Sequence, residues 1–385
     1  MASRQWWRVA LAMFAVGWGA NQFAPLLLVY QAYIPATEVA ASFGAYALGL
    51  IPALLIAARL SDRYGRRRVM RPVLVLSVVA SVVLLLGAHE TWLLLAGRIL
   101  AGVASGAAFG PGTAWIKELS ADAAAGSGAR RAAVSLSAGF AVGPLIAGIL
   151  AQWLPYPQTL PYIVHILLMF VIAPLVWFAT ETVKAQPQTA RVQTELRAAI
   201  MAPIFLRRVL PSAPWVFGAA TTTVAVLPGL VDVGQFNIAV SGASAGLTLG
   251  TGAFVQPLAR RLEQRRAGIT LHVGYGSLIA GLLLASVTAA TREPFLLIPC
   301  AIMLGSAYGM LLIGGLAISE ELAAPKDLAT VTAVFFCLTY VGFAFPFIVA
   351  ALSERTLPQW TLLGAATLAL LAWLGSSATI RWPRQ

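Results

Sequence analysis

The chain is far more apolar than a soluble protein: of its 385 residues 59% are hydrophobic and only 10% are charged, whereas an ordinary soluble domain is about a quarter charged. Because such a chain cannot cover its own surface with polar groups, the composition excludes a soluble domain and a disordered chain. The net charge of +12 is carried by bases between long apolar runs, where membrane topology explains them better than nucleic-acid binding does.

Long apolar runs follow one another from end to end of the chain. A membrane-spanning helix needs about 20 mostly apolar residues, and lipid-facing backbone must satisfy its hydrogen bonds within the helix. The first run, from about Val9 to Tyr30, is too long for the apolar core of a signal peptide and predicts an uncleaved first helix. In all, twelve spanning helices are predicted. In chain order they are centred on Ala20, Ala47, Val79, Ala104, Val142, Met169, Ala225, Thr248, Ala280, Gly309, Tyr340 and Leu368.

One long polar interruption divides these helices into six and six. It runs from Glu181 to Ser212. We therefore expect an all-α membrane protein with two pseudo-symmetric six-helix bundles. The predicted boundaries are residues 1–183 for the N-terminal bundle, 184–212 for a cytoplasmic linker and 213–385 for the C-terminal bundle.

The distribution of basic residues predicts the orientation. With the first residue placed in the cytoplasm and twelve crossings counted, every lysine and arginine except Arg98, Arg292 and Arg355 falls on the cytoplasmic side. This segregation is what the positive-inside rule requires. We expect a multi-pass protein of the cell membrane with both termini in the cytoplasm.

Two loops at equivalent positions indicate an internal repeat. Leu60–Arg68 follows the second span and Leu258–Arg266 follows the eighth, and both begin with leucine and end with an arginine pair. Short basic loops also resemble one another through topology alone, but the equal placement within each half favours a duplication. Two repeated six-helix halves, with a substrate site between them, are a known transporter plan.

The loop after the second span carries more than positive charge. Gly65 permits a tight turn, and Asp62 can face the N-terminal end of a neighbouring helix. Arg66 can pair with Glu118 at the inner end of the fourth span, while Arg63 adds a further base. The alternative is a solvated basic loop that only orients the protein. Because orientation requires neither the aspartate nor the glycine, we expect these five residues to form a conformational latch.

The fourth span contains the only base inside a predicted helix. Arg98 is followed at four-residue intervals by Gly102, Gly106 and Gly110, so all four share one helix face. A charge inside a membrane is costly and by default indicates a functional residue. The alternative is an arginine that extends to the outer interface near Trp92. We favour a role in substrate binding or coupling.

The fifth span contains a strip of small residues interrupted by a proline. Such a strip lets another helix approach closely, and the proline bends the helix because it removes a backbone hydrogen bond. The residues concerned are Gly139, Gly143, Pro144, Ala147 and Gly148.

The eighth span offers a matching strip. Gly242, Gly246 and Gly250 recur at intervals of four residues and so share one helix face. We expect this strip to pack against Gly139, Gly143 and Ala147 of the fifth span, across the interface between the two halves. Generic packing of small residues, which is common among membrane helices, is the alternative.

Few polar residues within the spans are suited to binding a substrate or a proton. Asn21 and Gln22 in the first span are candidate hydrogen-bonding groups, with an ordinary interhelical bond as the alternative. Asp232, assigned to the outer end of the seventh helix, is the best carboxylate candidate, with an ordinary charge at the outer rim as the alternative. His165, in the sixth span, is expected to be structural.

These motifs together resemble the major facilitator superfamily, and within it the drug/proton antiporter branch. The resemblance is carried by the loop Asp62–Arg67, by the pattern Arg98-x-x-x-Gly102 and by the segment Gly139–Gly148. It spans the whole chain as a layout, but clear motifs occur only in the first half.

The resemblance implies a role for each motif. The basic loop would close the cytoplasmic side, with Asp62 facing the start of the eleventh helix near Asp327. Arg98 would take part in proton transfer or substrate coupling, and the fifth-span motif would seal the cavity against leak. Two departures are Ala58 and Ala147, which stand where the family usually has glycine.

The function expected from these features is secondary active transport. The chain would export a small amphipathic compound, a drug or a metabolite, by alternating access, in exchange for protons if a carboxylate titrates. The first span holds Asn21 rather than an acid, which keeps an uncoupled facilitator or importer open, as well as a non-transporting receptor. An integral-membrane enzyme would need clustered acidic or histidine residues. We expect a monomer without cofactor or metal, whose partners are a small-molecule substrate, protons and the lipid bilayer, with no nucleic acid.

Overall fold

The predicted spans are present as helices. The computed structural model describes residues 5–124, 126–182, 199–323 and 328–377, and within these ranges its regular secondary structure is entirely helical. Twelve helices are long and apolar enough to cross a membrane, which confirms the predicted number and the fold class. They are α1 (Trp6–Tyr30), α2 (Ala36–Tyr64), α3 (Arg66–Leu86), α4 (Thr91–Glu118), α5 (Ser127–Trp153), α6 (Leu160–Trp177), α7 (Phe205–Gly229), α8 (Gly234–Arg265), α9 (Ile269–Thr291), α10 (Pro294–Leu322), α11 (Thr330–Ser353) and α12 (Pro358–Ser377).

The seventh helix begins earlier than the sequence indicated. α7 starts at Phe205, inside the segment assigned to the linker, and its first turn is π-helical. Arg207 and Arg208 lie in this turn. Because spanning helices were predicted from apolar runs, a turn with two charged residues was assigned to the linker. Pro211 follows in the first turn of the next α-helical segment.

Three helices change geometry within the span. α1 is interrupted at Gln22, between the α-helical segments Trp6–Asn21 and Phe23–Tyr30. α7 passes through the π-helical segment Thr222–Val226, and α11 through the 3₁₀ segment Val341–Ala344. Departures of this kind are frequent at functional sites. The break in α1 lies at the candidate site described below.

The chain divides into two compact units. The first consists of Met1–Thr189 with Val233–Gly250, and the second of Ala190–Asp232 with Thr251–Gln385. The predicted bundles assign all of α8 to the C-terminal half. The two units differ from the bundles at this helix, because the first half of α8 is grouped with α1 to α6.

In the first unit, α4 packs closely against α2 through the face predicted from the glycine spacing. A methyl group at Gly102 would overlap the carbonyl oxygen of Tyr46, and one at Gly106 would overlap that of Leu50. Glycine therefore allows the two backbones to touch at these positions. Because Arg98 lies on the same face, its side chain is directed at α2 rather than along the outside of the bundle.

The second unit contains a cluster of aromatic rings. Phe217 of α7 is stacked on Tyr340 of α11, with ring centroids 4.7 Å apart and an interplanar angle of 15°. It also contacts Tyr308 of α10 at 5.4 Å and Phe343 of α11 at 5.0 Å. All four rings are buried. They hold α7, α10 and α11 together and contribute to the core of this unit.

Candidate functional site

Arg98 is completely buried between α1 and α2. Its Nη1 donates a hydrogen bond to the carbonyl oxygen of Ala20 at 3.0 Å, and its Nη2 donates to that of Phe43 at 3.5 Å. The guanidinium carbon lies 4.7 Å from the ring centroid of Phe23 and 4.6 Å from that of Tyr46. The side chain therefore does not reach for the outer interface, which removes the snorkelling alternative.

The positive charge of Arg98 is balanced without an acid. Among the described residues no aspartate or glutamate forms an ion pair with it, and none of the described acidic residues is buried. Backbone carbonyl dipoles and aromatic faces, which attract a cation through the ring quadrupole, take the place of a counterion. Burying a charge in this way is costly. Such a cost makes Arg98 a candidate functional residue.

The break in α1 lies directly beside this arginine. Gln22 is fully buried, and neither its Nε2 nor its Oε1 has a hydrogen-bond partner within the described part of the chain. One turn earlier on the same face, the indole Nε1 of the buried Trp18 also has no partner among those residues. Arg98 contacts α1 on both sides of the break, at Ala20 and at Phe23. The structure thus brings Gln22 and Arg98, two predicted site residues, into one region, and Asn21, the residue before Gln22, is half-buried.

An aromatic pair that sequence reasoning missed extends this region. Phe23 contacts Tyr30 with ring centroids 5.4 Å apart, and the hydroxyl of Tyr30 is hydrogen-bonded to that of Tyr162 on α6 at 2.8 Å. Both tyrosines are completely buried. Nothing in their sequence spacing pairs them, because they lie far apart in the chain and meet only through the packing of α1 against α6.

His165 behaves as the structural residue that was expected. Its Nδ1 is 2.8 Å from the hydroxyl of Ser81 on α3, and its Nε2 is 3.1 Å from the carbonyl oxygen of Ala15 on α1. Since a carbonyl can only accept, Nε2 carries the proton and Nδ1 accepts from the serine. The histidine therefore joins α1, α3 and α6, with both ring nitrogens occupied.

Asp232 does not lie on the seventh helix. α7 ends in a 3₁₀ turn at Leu227–Gly229, and Asp232 is exposed in the segment that leads to α8. The proline and glycine of that turn terminate the helix before the aspartate is reached. The assignment of Asp232 to α7 is therefore wrong. If Asp232 takes part in coupling, it does so as an exposed carboxylate outside the helices.

The basic loop between α2 and α3 forms a charged cluster around Arg66. Its Nη2 lies 2.8 Å from Oε1 of Glu118 at the end of α4. Its Nη1 contacts the carboxylate of Asp62 and donates to the hydroxyl of Ser61 at 3.0 Å. The predicted pairing of Arg66 with Glu118 is present. Because the guanidinium is engaged on both edges, Arg66 is held almost completely buried.

A third acid in this cluster, besides Asp62 and Glu118, was not assigned to it from the sequence. Glu181, beyond the end of α6, accepts hydrogen bonds from the backbone N–H groups of Arg66 at 3.0 Å and Arg67 at 2.9 Å. These groups open α3 and have no intrahelical partner, so the carboxylate caps the helix and faces its positive end. Gly65 precedes them with φ of 102°, and a Cβ there would lie 2.6 Å from Oε2 of Glu181.

The remaining latch residues are placed differently. Arg63 is exposed and lies over the ring of Tyr64 at 5.2 Å, so it does not enter the charged cluster. Asp62 pairs with Arg66. The start of the eleventh helix near Asp327, which the family resemblance assigned to Asp62, lies outside the described residues.

The glycine strips of α5 and α8 meet through a different face of α5 from the one expected. Gly139 and Gly143 lie against Phe14 and Trp18 of α1, so the expected contact of these two glycines with α8 is wrong. A strip of small residues fixes the spacing between two helices but not the rotation that selects its partner. The rotation observed directs this strip of α5 toward α1.

A neighbouring face of α5 makes the contact with α8. A Cβ at Gly148 would lie 3.0 Å from the Cα of Gly242, and one at Gly242 would lie 2.6 Å from the carbonyl oxygen of Pro144. A Cβ at Gly246 would lie 3.5 Å from the Cβ of Leu145, whereas one at Gly250 would reach only the methyl group of Ala141 at 4.0 Å. The two backbones are thus closest at Gly148 and Gly242.

A glutamine at the end of α5 strengthens this contact. Oε1 of Gln152 accepts hydrogen bonds from the backbone N–H groups of Ile238 at 3.2 Å and Ala239 at 3.1 Å, and its Nε2 donates to the carbonyl oxygen of Gln235. A side chain of α5 therefore caps the N-terminus of α8. We call the glycine contact and the hydrogen bonds of Gln152 together the α5–α8 junction.

The sequence matches the Major Facilitator Superfamily over residues 9–347, and the chain belongs to this family. Its structure is similar to that of a mutant of the nucleoside transporter NupG, with a TM-score of 0.81 and 11% identity, covering 99% of this chain and 100% of that one. It is also similar to a POT family transporter in complex with 5-aminolevulinic acid, with a TM-score of 0.79 and 11% identity over 96% of this chain and 95% of the other. At these identities the similarity shows the fold.

A curated relative shares part of the sequence. A triacylglyceride transporter of Mycobacteroides abscessus is 31% identical over 152 residues, which is 38% of this chain and 28% of that protein. The match therefore spans less than a third of the relative's length. The family and the fold describe this chain as a multi-pass membrane protein of the Major Facilitator Superfamily.

Proposed function

We propose that the chain exports a small amphipathic compound by alternating access, as a member of the drug/proton antiporter branch. The observation that carries this proposal is the buried Arg98, held without an acidic partner among the described residues, beside a break in α1. The family and fold support transport. The export direction rests on the glycine–proline motif of α5, which resembles that of antiporters.

The polar groups at the α1 break favour a substrate with hydrogen-bond-accepting oxygens. The indole of Trp18 and the guanidinium of Arg98 are donors only, and the amide of Gln22 adds two donors and one acceptor. Carbonyl, ester or anionic oxygens complement such a set, whereas an organic cation would be repelled by the arginine. The ester-rich substrate in the name of the curated relative is consistent with this chemistry.

The experiment is export from cells of three dyes that differ in charge: cationic ethidium, uncharged Nile red and anionic carboxyfluorescein. We expect export of the uncharged or the anionic dye, and loss of that export in Arg98→Gln and Gln22→Leu. The control is Arg260→Gln, which removes an exposed base. Export of ethidium alone, unchanged in Arg98→Gln, would contradict the proposed site.

The charged cluster and the α5–α8 junction are proposed as the two gates of this cycle. The cluster around Arg66 acts as the latch of the state whose cytoplasmic side is closed. The α5–α8 junction seals the opposite side. This assignment keeps the predicted orientation, in which both termini are cytoplasmic in a cell-membrane monomer with two bundles, the second beginning with α7 at Phe205 rather than at residue 213.

An uncoupled facilitator or importer is the second candidate. It is favoured by the absence of a buried aspartate or glutamate from the described residues and by Asn21 in place of an acid in α1. A protonophore separates the two candidates. Export that stops when the proton gradient collapses supports exchange with protons, and export that continues supports the facilitator.

A further inference from the structure

Three arginines near the start of α1 and the end of α6 each lie over a tryptophan ring. They come from three helices, α1, α3 and α5, and two of the three pairs join different helices. We call this group the arginine–tryptophan belt. Its pairs are Arg8 with Trp7 at 5.6 Å, Arg71 with Trp177 at 4.6 Å and Arg131 with Trp6 at 4.2 Å, measured from the guanidinium carbon to the ring centroid.

The charges of the belt are not neutralised by the protein residues that the structure describes. Arg8, Arg71 and Arg131 form no ion pair with a described acid, whereas Arg66 nearby pairs with both Asp62 and Glu118. The belt arginines donate to uncharged oxygens instead. Three full positive charges therefore remain at one end of the first unit.

Two of these arginines converge on the C-terminus of α6. Arg71 Nη2 donates to the carbonyl oxygen of Trp177 at 2.5 Å, and Arg8 Nη1 donates to that of Phe178 at 3.5 Å. Because the two carbonyls are consecutive, the two guanidinium groups are neighbours. The helix end supplies only about half a negative charge, which leaves the pair strongly cationic and held in place.

The aromatic side chains next to Arg8 and Arg71 are exposed at the protein surface. Trp7, Trp177 and Phe178 are exposed to 41%, 40% and 74%, although large aromatic side chains are costly to leave in water. Tryptophan at the end of a spanning helix is typical of the membrane–water interface, where its amphipathic ring lies among the headgroups. Cationic groups and lipid-facing rings thus occur together at one place.

We propose that the arginine–tryptophan belt binds the phosphate headgroup of an anionic phospholipid. Arg8 and Arg71 bind the phosphodiester, and its acyl chains lie along the exposed side chains of α6, which include Leu167, Phe170 and Val171. Basic sites between spanning helices recognise anionic headgroups through this chemistry. The exposed rings favour a lipid over a free phosphate ion, because an ion leaves them in water.

The test is thermal unfolding of the purified full-length chain with phosphatidylglycerol, phosphatidylcholine or inorganic phosphate added. Phosphatidylglycerol is expected to raise the melting temperature, and the other two are not. For the same rise in melting temperature, the double variant Arg8→Gln, Arg71→Gln is expected to require a phosphatidylglycerol concentration that is higher by roughly tenfold. The control, Arg260→Gln with Arg261→Gln, removes as many exposed bases elsewhere and is expected to behave as the parent chain.

Four outcomes would overturn the proposal. They are an unchanged response of the double variant, an equal loss in the control, a comparable rise with inorganic phosphate and a comparable rise with phosphatidylcholine. Should the double variant fail to fold, native mass spectrometry of the unaltered chain decides the question. Preferential retention of phosphatidylglycerol over phosphatidylcholine supports the belt, and equal retention of the two lipids overturns it.

Discussion

Arg98 shows how a single buried charge can be held by groups that carry no net charge. Two carbonyl oxygens on different helices, those of Ala20 and Phe43, accept from its two terminal nitrogens. A guanidinium spans both because its donors form a rigid planar fork, whereas an ammonium is a single point of charge. The geometry therefore depends on arginine and not on positive charge alone.

Arg98→Lys should reduce export at least tenfold while leaving the amount of protein in the membrane unchanged. Lysine keeps the charge but cannot reach α1 and α2 together, so the break in α1 loses its fixed partner. The measurement is initial export rate of the dye that the parent chain transports, normalised to membrane protein. Arg260→Lys, at an exposed position, is the matched control. Equal rates in Arg98→Lys and the parent would show that charge alone suffices.

Gly65 gives a test of the cap on α3. Its φ of 102° and ψ of 153° lie in a region that is essentially restricted to glycine, where another residue costs about 1–3 kcal/mol, and a Cβ there would also collide with the carboxylate of Glu181. Gly126 also has a positive φ, but its φ of 78° and ψ of −7° lie in the left-handed helical region, and a Cβ there would meet no described atom within 4 Å. Gly65→Ala should therefore lower the melting temperature clearly more than Gly126→Ala does.

Repeating Gly65→Ala in a Glu181→Ala background isolates the contact with Glu181 from the strain of the turn, because the strain remains and the collision is removed. All variants are measured by thermal unfolding beside the parent chain, and Gly65→Ala should lower the melting temperature less in the Glu181→Ala background. Equal losses in the two backgrounds would mean that the contact with the carboxylate has no effect. The account of Glu181 as a cap on α3 would then be wrong.

At the scale of helices, the sequence predicted what is local and missed what depends on orientation. Apolar length located the twelve spans because a membrane helix must satisfy its own backbone. The pairing of Arg66 with Glu118 followed from opposite charges at adjacent helix ends. The sequence did not predict that Gly139 and Gly143 of α5 pack against α1, because residue spacing does not determine how a helix is rotated about its axis. The role of Glu181 depends on a turn beyond α6 that brings it to α3.

The α5–α8 junction should open when its closest approach is widened. Gly242→Ala places a methyl group 2.6 Å from the carbonyl oxygen of Pro144, so the helices must separate by several tenths of an ångström. We expect a faster passive leak of protons through proteoliposomes. Gly276→Ala on α9 is the control, because a Cβ there would meet nothing within 4 Å. A leak that rises equally in both variants, or in neither, would count against a seal at this junction.

At the scale of the whole molecule, the chain has the fold of the Major Facilitator Superfamily, and the mechanism proposed for it rests on the two proposed gates. The layout of twelve helices, the loop repeat and the family were all indicated by the sequence. The proposed substrate site was indicated only in part, because the surroundings of its buried donors arise only when α1, α2 and α4 are packed. Gln22 is the clearest case, since the sequence does not show that its buried amide lacks a hydrogen-bond partner among the described residues.

The most direct test of alternating access is a reversible lock on the α5–α8 junction. The variant carries Leu145→Cys and Gly246→Cys, with Cys300→Ala and Cys337→Ala to remove the native thiols. The 3.5 Å separation of the two Cβ positions suits a disulfide, in which this distance is about 3.5–4.5 Å. Oxidation should stop dye export almost completely, and reduction should restore it. Export that continues at the parent rate in the fully crosslinked protein would contradict the account.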